Sequence, residues 1–264
     1  HKGVKTTPWC VVSFRLYLVT FIMKVIFSRK GFDGSAGGCP SPIIDRIPVS
    51  LPIPYLNSTK SYRHFNLGEM VTDLTNGKLR ESDFCHNDPD LRMGAFGQVS
   101  SAQSHLDNQD VGSGDLFLFF GWFREAEMVD GNYRYKSDAI DHHRIFGWMF
   151  VDQKFTIGAK TEKFRRKYAK YANHPHAVGK WGPNNTIYIA SENFSLFGEH
   201  PMRGFGNFSV SKQNRTVHST AVLCIPCVFY FYSASGSPFG APTGQTCQEN
   251  KKRRMLALFA LCLI

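Results

Sequence analysis

The densest group of reactive side chains in this 264-residue sequence is Cys85-His86-Asn87-Asp88-Pro89-Asp90-Leu91, with one imidazole and two carboxylates inside five residues. A carboxylate beside an imidazole can pass protons as acid and base, and it can hold a divalent ion. Asp88-Pro89 reads as a turn, which would let His86 and Asp90 converge. The competing reading is a capped turn, with Asp90 starting the next segment. Downstream, Gln98, Ser101, Gln103 and His105 offer hydrogen-bonding edges suited to a base or a sugar. His142 and His143 precede Arg144, and strand alternation sends one of them inward and the other toward solvent. Asn173-His174-Pro175-His176 carries two imidazoles around a proline that should end the preceding helix. Such a pair chelates a metal when both rings share a strand face, with a third ligand from His86, Asp88 or His105. The spacing commits to no metal-ligand set and names no cofactor. The catalytic candidates are His86, Asp88, Asp90 and His143.

An anion site has its own candidates. Ser28-Arg29-Lys30-Gly31-Phe32-Asp33-Gly34 and the small residues up to Pro42 form a loop whose amides and cations could hold a phosphate or carboxylate. It lacks the Gly-Lys-Ser/Thr ending of a phosphate loop and the GxGxxG dinucleotide spacing. A solvated turn accounts for it equally well. Residues 160–171 hold six basic residues against one acid, and Phe164, Tyr168 and Tyr171 line one helical face. That stripe reads as core packing, while the basic face could meet phosphates. The nucleotide-binding candidates are Arg29, Lys30, Asp33, Gln98, His105, Trp122, Arg124 and His176.

These groups need a scaffold. After the turn Gly112-Ser113-Gly114-Asp115 comes an apolar run from Leu116 to Phe123, and a second spans Ile145 to Val151. Both are rich in Phe and Trp, and both read as paired strands. Gly121 and Gly147 interrupt them, as happens at bulges or where another backbone comes close. Lys24–Ser28 reads as a first strand, the proline-rich stretch 48–54 as extended, 66–81 as a short helix stopped at Asn76-Gly77, 185–190 as a strand and Gly204-Phe205-Gly206 as a turn.

With 23 Phe residues the chain can bury a substantial core. The net charge of +10 is carried partly by the ends: residues 1–22 and 219–264 each contribute +3, leaving +4 for the middle. So mild a balance does not by itself predict a polyanion partner. Between residues 23 and 218 the only cysteines are Cys39 and Cys85, which fits a reducing, cytoplasmic setting. Cys224-Ile225-Pro226-Cys227 has no second ligand pair at zinc spacing. The apolar run from Trp9 to Phe27 is broken by Arg15 and Lys24, so Met23 is the expected start of the domain, residues 1–22 a non-native upstream extension and 219–264 a non-native or disordered tail. No membrane association is expected.

Several motifs carry a family likeness. Met23 to Asp33, Pro40-Ser41-Pro42-Ile43, His86 to Leu91 and, most distinctively, Val111 to Arg124 resemble the nucleotide-modification-associated domain, type 3. His143 to Trp148, His174-Pro175-His176 and Asn185 to Tyr188 continue the likeness in order, over roughly residues 23–215. The resemblance implies a role in systems that modify nucleic-acid bases. A weaker likeness, a Val-x-x-Gly-Asp turn entering an apolar strand followed by Ile-Phe-Gly, is to the PUA, ASCH and EVE barrels, which bind RNA or flipped bases. There Trp122, Phe123 and Trp148 would supply stacking faces or simply core.

The expectation is therefore an α+β domain over residues 23–218, a mixed, PUA-like β-barrel sheet with peripheral helices. Its expected function is to bind a modified nucleotide or base in a barrel pocket. The alternative is an enzyme acting on a nucleotide or base through His/Asp acid–base or metal chemistry. Expected partners are nucleic acid or nucleotides and base-modification enzymes.

Overall fold

The computed structural model describes residues 23–194 and 202–208, together with the backbone of 231–233. The expectations for residues 1–22, for the Cys224–Cys227 pair and for most of 219–264 lie outside the described residues. In chain order the strands are β1 (Val25–Arg29), β2 (Ser41–Ile44), β3 (Ile47–Pro48), β4 (Ile53–Pro54), β5 (Cys85–His86), β6 (Ala95–Gln98), β7 (Leu116–Val129), β8 (Asn132–Tyr135), β9 (His142–Thr156), β10 (Thr186–Ala190), β11 (Asn193–Phe194), β12 (Met202–Arg203), β13 (Phe205–Asn207) and β14 (Phe231–Ser233). Four short helices accompany them: α1 (Gly68–Leu74), α2 (Ser100–Asn108), α3 (Thr161–Lys167) and α4 (Pro175–Val178).

The two aromatic runs are the longest strands, and they pair antiparallel from Leu116↔Phe150 to Phe123↔His142. The register slips between Phe119 and Phe120, so the bulge falls beside Gly121 rather than on it. Both glycines sit where a second backbone comes close. A Cβ on Gly121 would lie 2.7 Å from the Lys30 carbonyl oxygen, and one on Gly147 would lie 3.0 Å from that of Gly206. The other edge of β7 is shared end to end. β1 runs parallel to its first half, Val25↔Leu116 to Arg29↔Phe120, and β2 runs parallel further on, Ser41↔Phe123 to Ile43↔Glu125. The loop between β1 and β2 leaves the sheet opposite Gly121 and Trp122, with Lys30 N–H still donating to the Phe120 carbonyl at 2.8 Å.

The main path of this mixed sheet is β14-β1-β7-β9-β10-β6. It curls strongly. Phe96 on β6, three places from β7 in that order, packs 5.0 Å from Phe117 and 5.3 Å from Phe119 and stacks on Tyr188. Phe123, Phe146, Met149, Val151 and Leu106 of α2 complete this dry interior. Rings at these separations gain about 0.5–1.5 kcal/mol per pair beyond area burial. Among the described residues the curl stops short of a closed barrel, because no ladder joins β6 to β14 or β1. The architecture is thus α+β with a large mixed sheet and few helices. No described helix is long and apolar enough to cross a membrane.

The finer expectations met varied outcomes. The helix within 66–81 forms as α1 and is stopped by Asn76 and Gly77, both at positive φ. The basic run forms α3, which yields at Tyr168 to a 3-10 turn, Ala169–Tyr171; Phe164 and Tyr171 are buried and Tyr168 packs against the same cluster. Pro175 does not end that helix but opens α4 at its first turn, where a missing N–H costs nothing. Gly204-Phe205-Gly206 is not a turn, since Phe205–Asn207 pairs with β9. Of the C-terminal region only 231–233 is described, and its backbone pairs parallel with β1.

Candidate functional site

The candidate site lies beside β6, at one open end of the sheet path. β6 is an edge strand, and the turn that precedes it folds back along that edge. Gly97 N–H donates to Asp88 Oδ1 at 2.9 Å, and the Asp90 backbone exchanges hydrogen bonds with Ala95. This docking inserts the Asp88 carboxylate, 2% exposed, beneath the sheet. His86 at the end of β5 (13% exposed) and the α4 imidazoles His174 (0%) and His176 (3%) surround it. His86 Nε2 and His176 Nε2 each lie 3.8 Å from Asp88 Oδ2, and His174 Nε2 lies 3.3 Å from Oδ1.

Hydrogen bonds behind two of the rings settle how His176 and His174 present themselves. Asn185, fully buried before β10, donates from Nδ2 to the carbonyls of His176 (3.0 Å) and Gly158 (3.2 Å). Its Oδ1 therefore faces His176 Nδ1 at 2.7 Å, so that nitrogen carries the proton and Nε2 offers a lone pair. His174 caps α4: its Nδ1 accepts from the His176 backbone N–H at 3.3 Å, which leaves the proton on Nε2, 3.3 Å from Asp88 Oδ1 but outside hydrogen-bond geometry. His176 also needs Gly97 beside it, because a Cβ there would fall 2.2–2.8 Å from the ring and its Cβ. On its other side Trp181 stacks on His176 (4.3 Å, 2°) and Tyr55 stacks on Trp181.

The electrostatics follow from burial. Desolvation pushes His86 down to about 4 and His176 to about 3; the Asp88 charge opposes this, and the neighbouring imidazoles add to it. Burial would raise Asp88, but the close His174 ring, the Lys30 charge and the charge His176 carries once protonated more than offset it and hold the carboxyl well below its usual range. At neutral pH the Asp88 carboxylate is ionised and His86 and His176 beside it are neutral. Lys30 is pulled below the ordinary lysine value by desolvation against the attraction of Asp88, and its ammonium lies 4.3 Å over the Phe96 ring.

Asp88 and His86 line an open cleft of about 840 Å³, with Arg29, Lys30 and Asp33 on the opposite wall and Asp90 beside them. Arg29 is exposed at the rim. Asp33 spends its carboxylate on the Ser35 hydroxyl and the Ser35 and Ala36 amides, and Asp90 spends its Oδ1 on the Arg92 and Met93 amides, so the turn joins His86 to Asp88 rather than to Asp90. The remaining candidates are elsewhere. His143 is exposed on β9 opposite Trp122, and Arg124 pairs with Asp141. His105 lies on α2, and Gln98 Oε1 accepts from the next amide, Val99. Phe123 is core, while Trp148 donates to the Arg203 carbonyl and packs on Phe208. Trp181, Gly97 and Asn185 were not foreseen as site residues. Only Asn185 had a local signal, as a polar residue opening the apolar run Ile187-Tyr188-Ile189.

The fold is thus a curled α+β sheet with an open cleft that has Arg29 at its rim and His86 and Asp88 among its lining residues. A family model matches residues 24–223, and the chain belongs to that family, nucleotide modification associated domain 3. Neither the curated proteins nor the solved structures provide a match. Membership links the domain to nucleic-acid modification.

Proposed function

We propose that this domain is an enzyme acting on a nucleotide or nucleic-acid base held in the cleft between β1 and the 86–92 turn. One observation carries the reading: the cleft that exposes Arg29 at its rim has His86 and Asp88 at its floor. Arg29 would hold a phosphate by charge-assisted hydrogen bonds. Lys30 lies deeper, nearer Asp88, where a reacting group would sit. His86, neutral at pH 7, can take a proton, and Asp88 stabilises the imidazolium that results. Arg165, Arg166 and Lys167, all exposed on α3, supply a further phosphate-binding face.

The test is turnover of nucleotides and of oligonucleotides carrying modified bases, read by mass spectrometry. Asp88→Asn and His86→Gln should lower kcat by about 10²–10⁴-fold, the range of a lost acid or base. Arg29→Ala should act on KM. Wild-type activity retained by Asp88→Asn would end the proposal.

The second reading is a PUA-like module that binds a modified base without turnover. It is favoured by Trp122, half-buried and in register with exposed His143 on the long hairpin. It predicts binding lost on Trp122→Ala and unaffected by Asp88→Asn.

A further inference from the structure

Three ligating atoms from two segments, the 86–92 turn and α4, converge where His86 and Asp88 line the cleft and His176 lies behind them. A nitrogen of His86, an oxygen of Asp88 and a nitrogen of His176 lie within 4.8 Å of one another. The two Nε2 atoms stand 3.8 Å from Asp88 Oδ2, too far for a hydrogen bond. Ligands about 2.0–2.1 Å from an ion at tetrahedral angles lie about 3.3 Å apart, so small ring shifts would close the set.

Behind two of these atoms, His176 Nε2 and Asp88 Oδ2, stand the orienting groups that metal ligands require. Asn185 holds His176 Nδ1 as a donor and turns the Nε2 lone pair inward. Gly97 N–H donates to Asp88 Oδ1, with His174 Nε2 3.3 Å from the same oxygen, and Oδ2 is left facing the two rings. Such partners orient a ligand and raise its basicity. Two lone-pair donors, Asp88 Oδ2 and His176 Nε2, then face one point with no proton committed between them. His86 Nδ1 is buried without a hydrogen-bond partner among the described residues, which a native fold seldom keeps without a use. Lys30 is the one cation in the cluster that opposes a second positive charge, and among the described residues no ion pair ties it to Asp88.

We propose that His86, Asp88 and His176 bind one divalent first-row transition ion, with positions left open toward the cleft. A two-histidine, one-carboxylate set suits zinc or iron(II), and it gives either ion room for a water or a substrate atom. His174 and Asn185 are positioning residues. The proposal keeps the enzymatic reading of the same cleft but gives His86 a ligand's role in place of proton transfer, and it stands on its own geometry.

The full chain, stripped with chelator and free of any affinity tag, is titrated with zinc, cobalt(II) and, without oxygen, iron(II). Readouts are metal content per chain, cobalt absorption and tryptophan emission, since Trp181 stacks on His176. One equivalent should bind. His176→Gln and the nearly isosteric Asp88→Asn should weaken binding by about 100-fold or more, and Asn185→Leu by about 10–100-fold, the usual effect of losing an orienting partner. His105→Gln on α2 should bind as wild type. Circular dichroism in chelator verifies that each variant is folded. No binding by the wild type, or equal loss in His105→Gln and His176→Gln, overturns the proposal. Full nucleotide turnover in chelator would also overturn it while leaving the enzymatic reading intact. Stoichiometric metal without turnover would do the reverse.

Discussion

Acid should destabilise the metal-stripped protein earlier than its carboxylates alone would allow. In the folded chain burial holds His86 at about 4 and His176 at about 3, against 6.5 for an unperturbed imidazole. Between those values the unfolded chain binds more protons, so the free energy of unfolding falls with pH. The contribution is complete above about pH 6.5 and is lost as pH drops toward 4 and then 3. At pH 5 each unfolded imidazole gains about 2 kcal/mol from protonation and the folded ones almost none, so the pair removes about 4 kcal/mol between pH 8 and 5. That is a large share of the roughly 5–15 kcal/mol that holds a domain together. Asp88, held low, stays ionised throughout this window and adds its own loss only at lower pH. The assay is urea unfolding followed by circular dichroism at pH 8, 7, 6 and 5 in chelator, for wild type and His176→Gln. The variant should show a pH 8-to-5 difference smaller by about 2 kcal/mol, whatever its stability at pH 8. A wild-type difference below about 1 kcal/mol, or an unchanged difference in the variant, would refute the account of the buried imidazoles.

Three further outcomes can be checked on the same protein. Gly97→Ala places a methyl group against His176 and should cost about 1–3 kcal/mol, the usual range for overpacking, in urea unfolding; a loss under 0.5 kcal/mol would mean the ring can move aside. Phe117→Ala, at the fully buried centre of the ring cluster, should cost about 3–5 kcal/mol in the same measurement. Reversing the charge of Arg165, Arg166 and Lys167 should weaken oligonucleotide binding evenly across sequences and flatten its salt dependence; unchanged affinity at low salt would remove α3 from the interface.

Much of the scaffold was legible because it is local. Runs such as Leu116–Phe123 and Ile145–Val151 carry their strand signal in their own residues, and Asn76-Gly77 announces the end of α1. The parallel docking of β1 on β7 was not, since nothing in Val25–Arg29 specifies which edge it joins. The curl that brings Phe96 onto Phe117 is likewise a property of the whole sheet. Within the site, the titratable residues of 86–90 and 174–176 were visible as types, but their grouping was not. Alternation along a chain cannot show that Asp88 points under β6 while Asp90, two residues on, caps a turn. Pro175 misled for a related reason: the same ring that ends one helix begins another, and only the cap made by His174 decides between them.

The turn bearing Asp88 also lies along the outer edge of β6, where it occupies the Gly97 and Ala95 amides. Raw strand edges invite pairing with other chains, and native proteins cover them. Here the cover and the reactive group are one segment. Substitutions that silence the Asp88 carboxylate by removing it, such as Asp88→Ala, therefore uncover a sticky ribbon as well. Such variants should aggregate on storage, whereas Asp88→Asn, which keeps an oxygen for the Gly97 amide, should stay monodisperse.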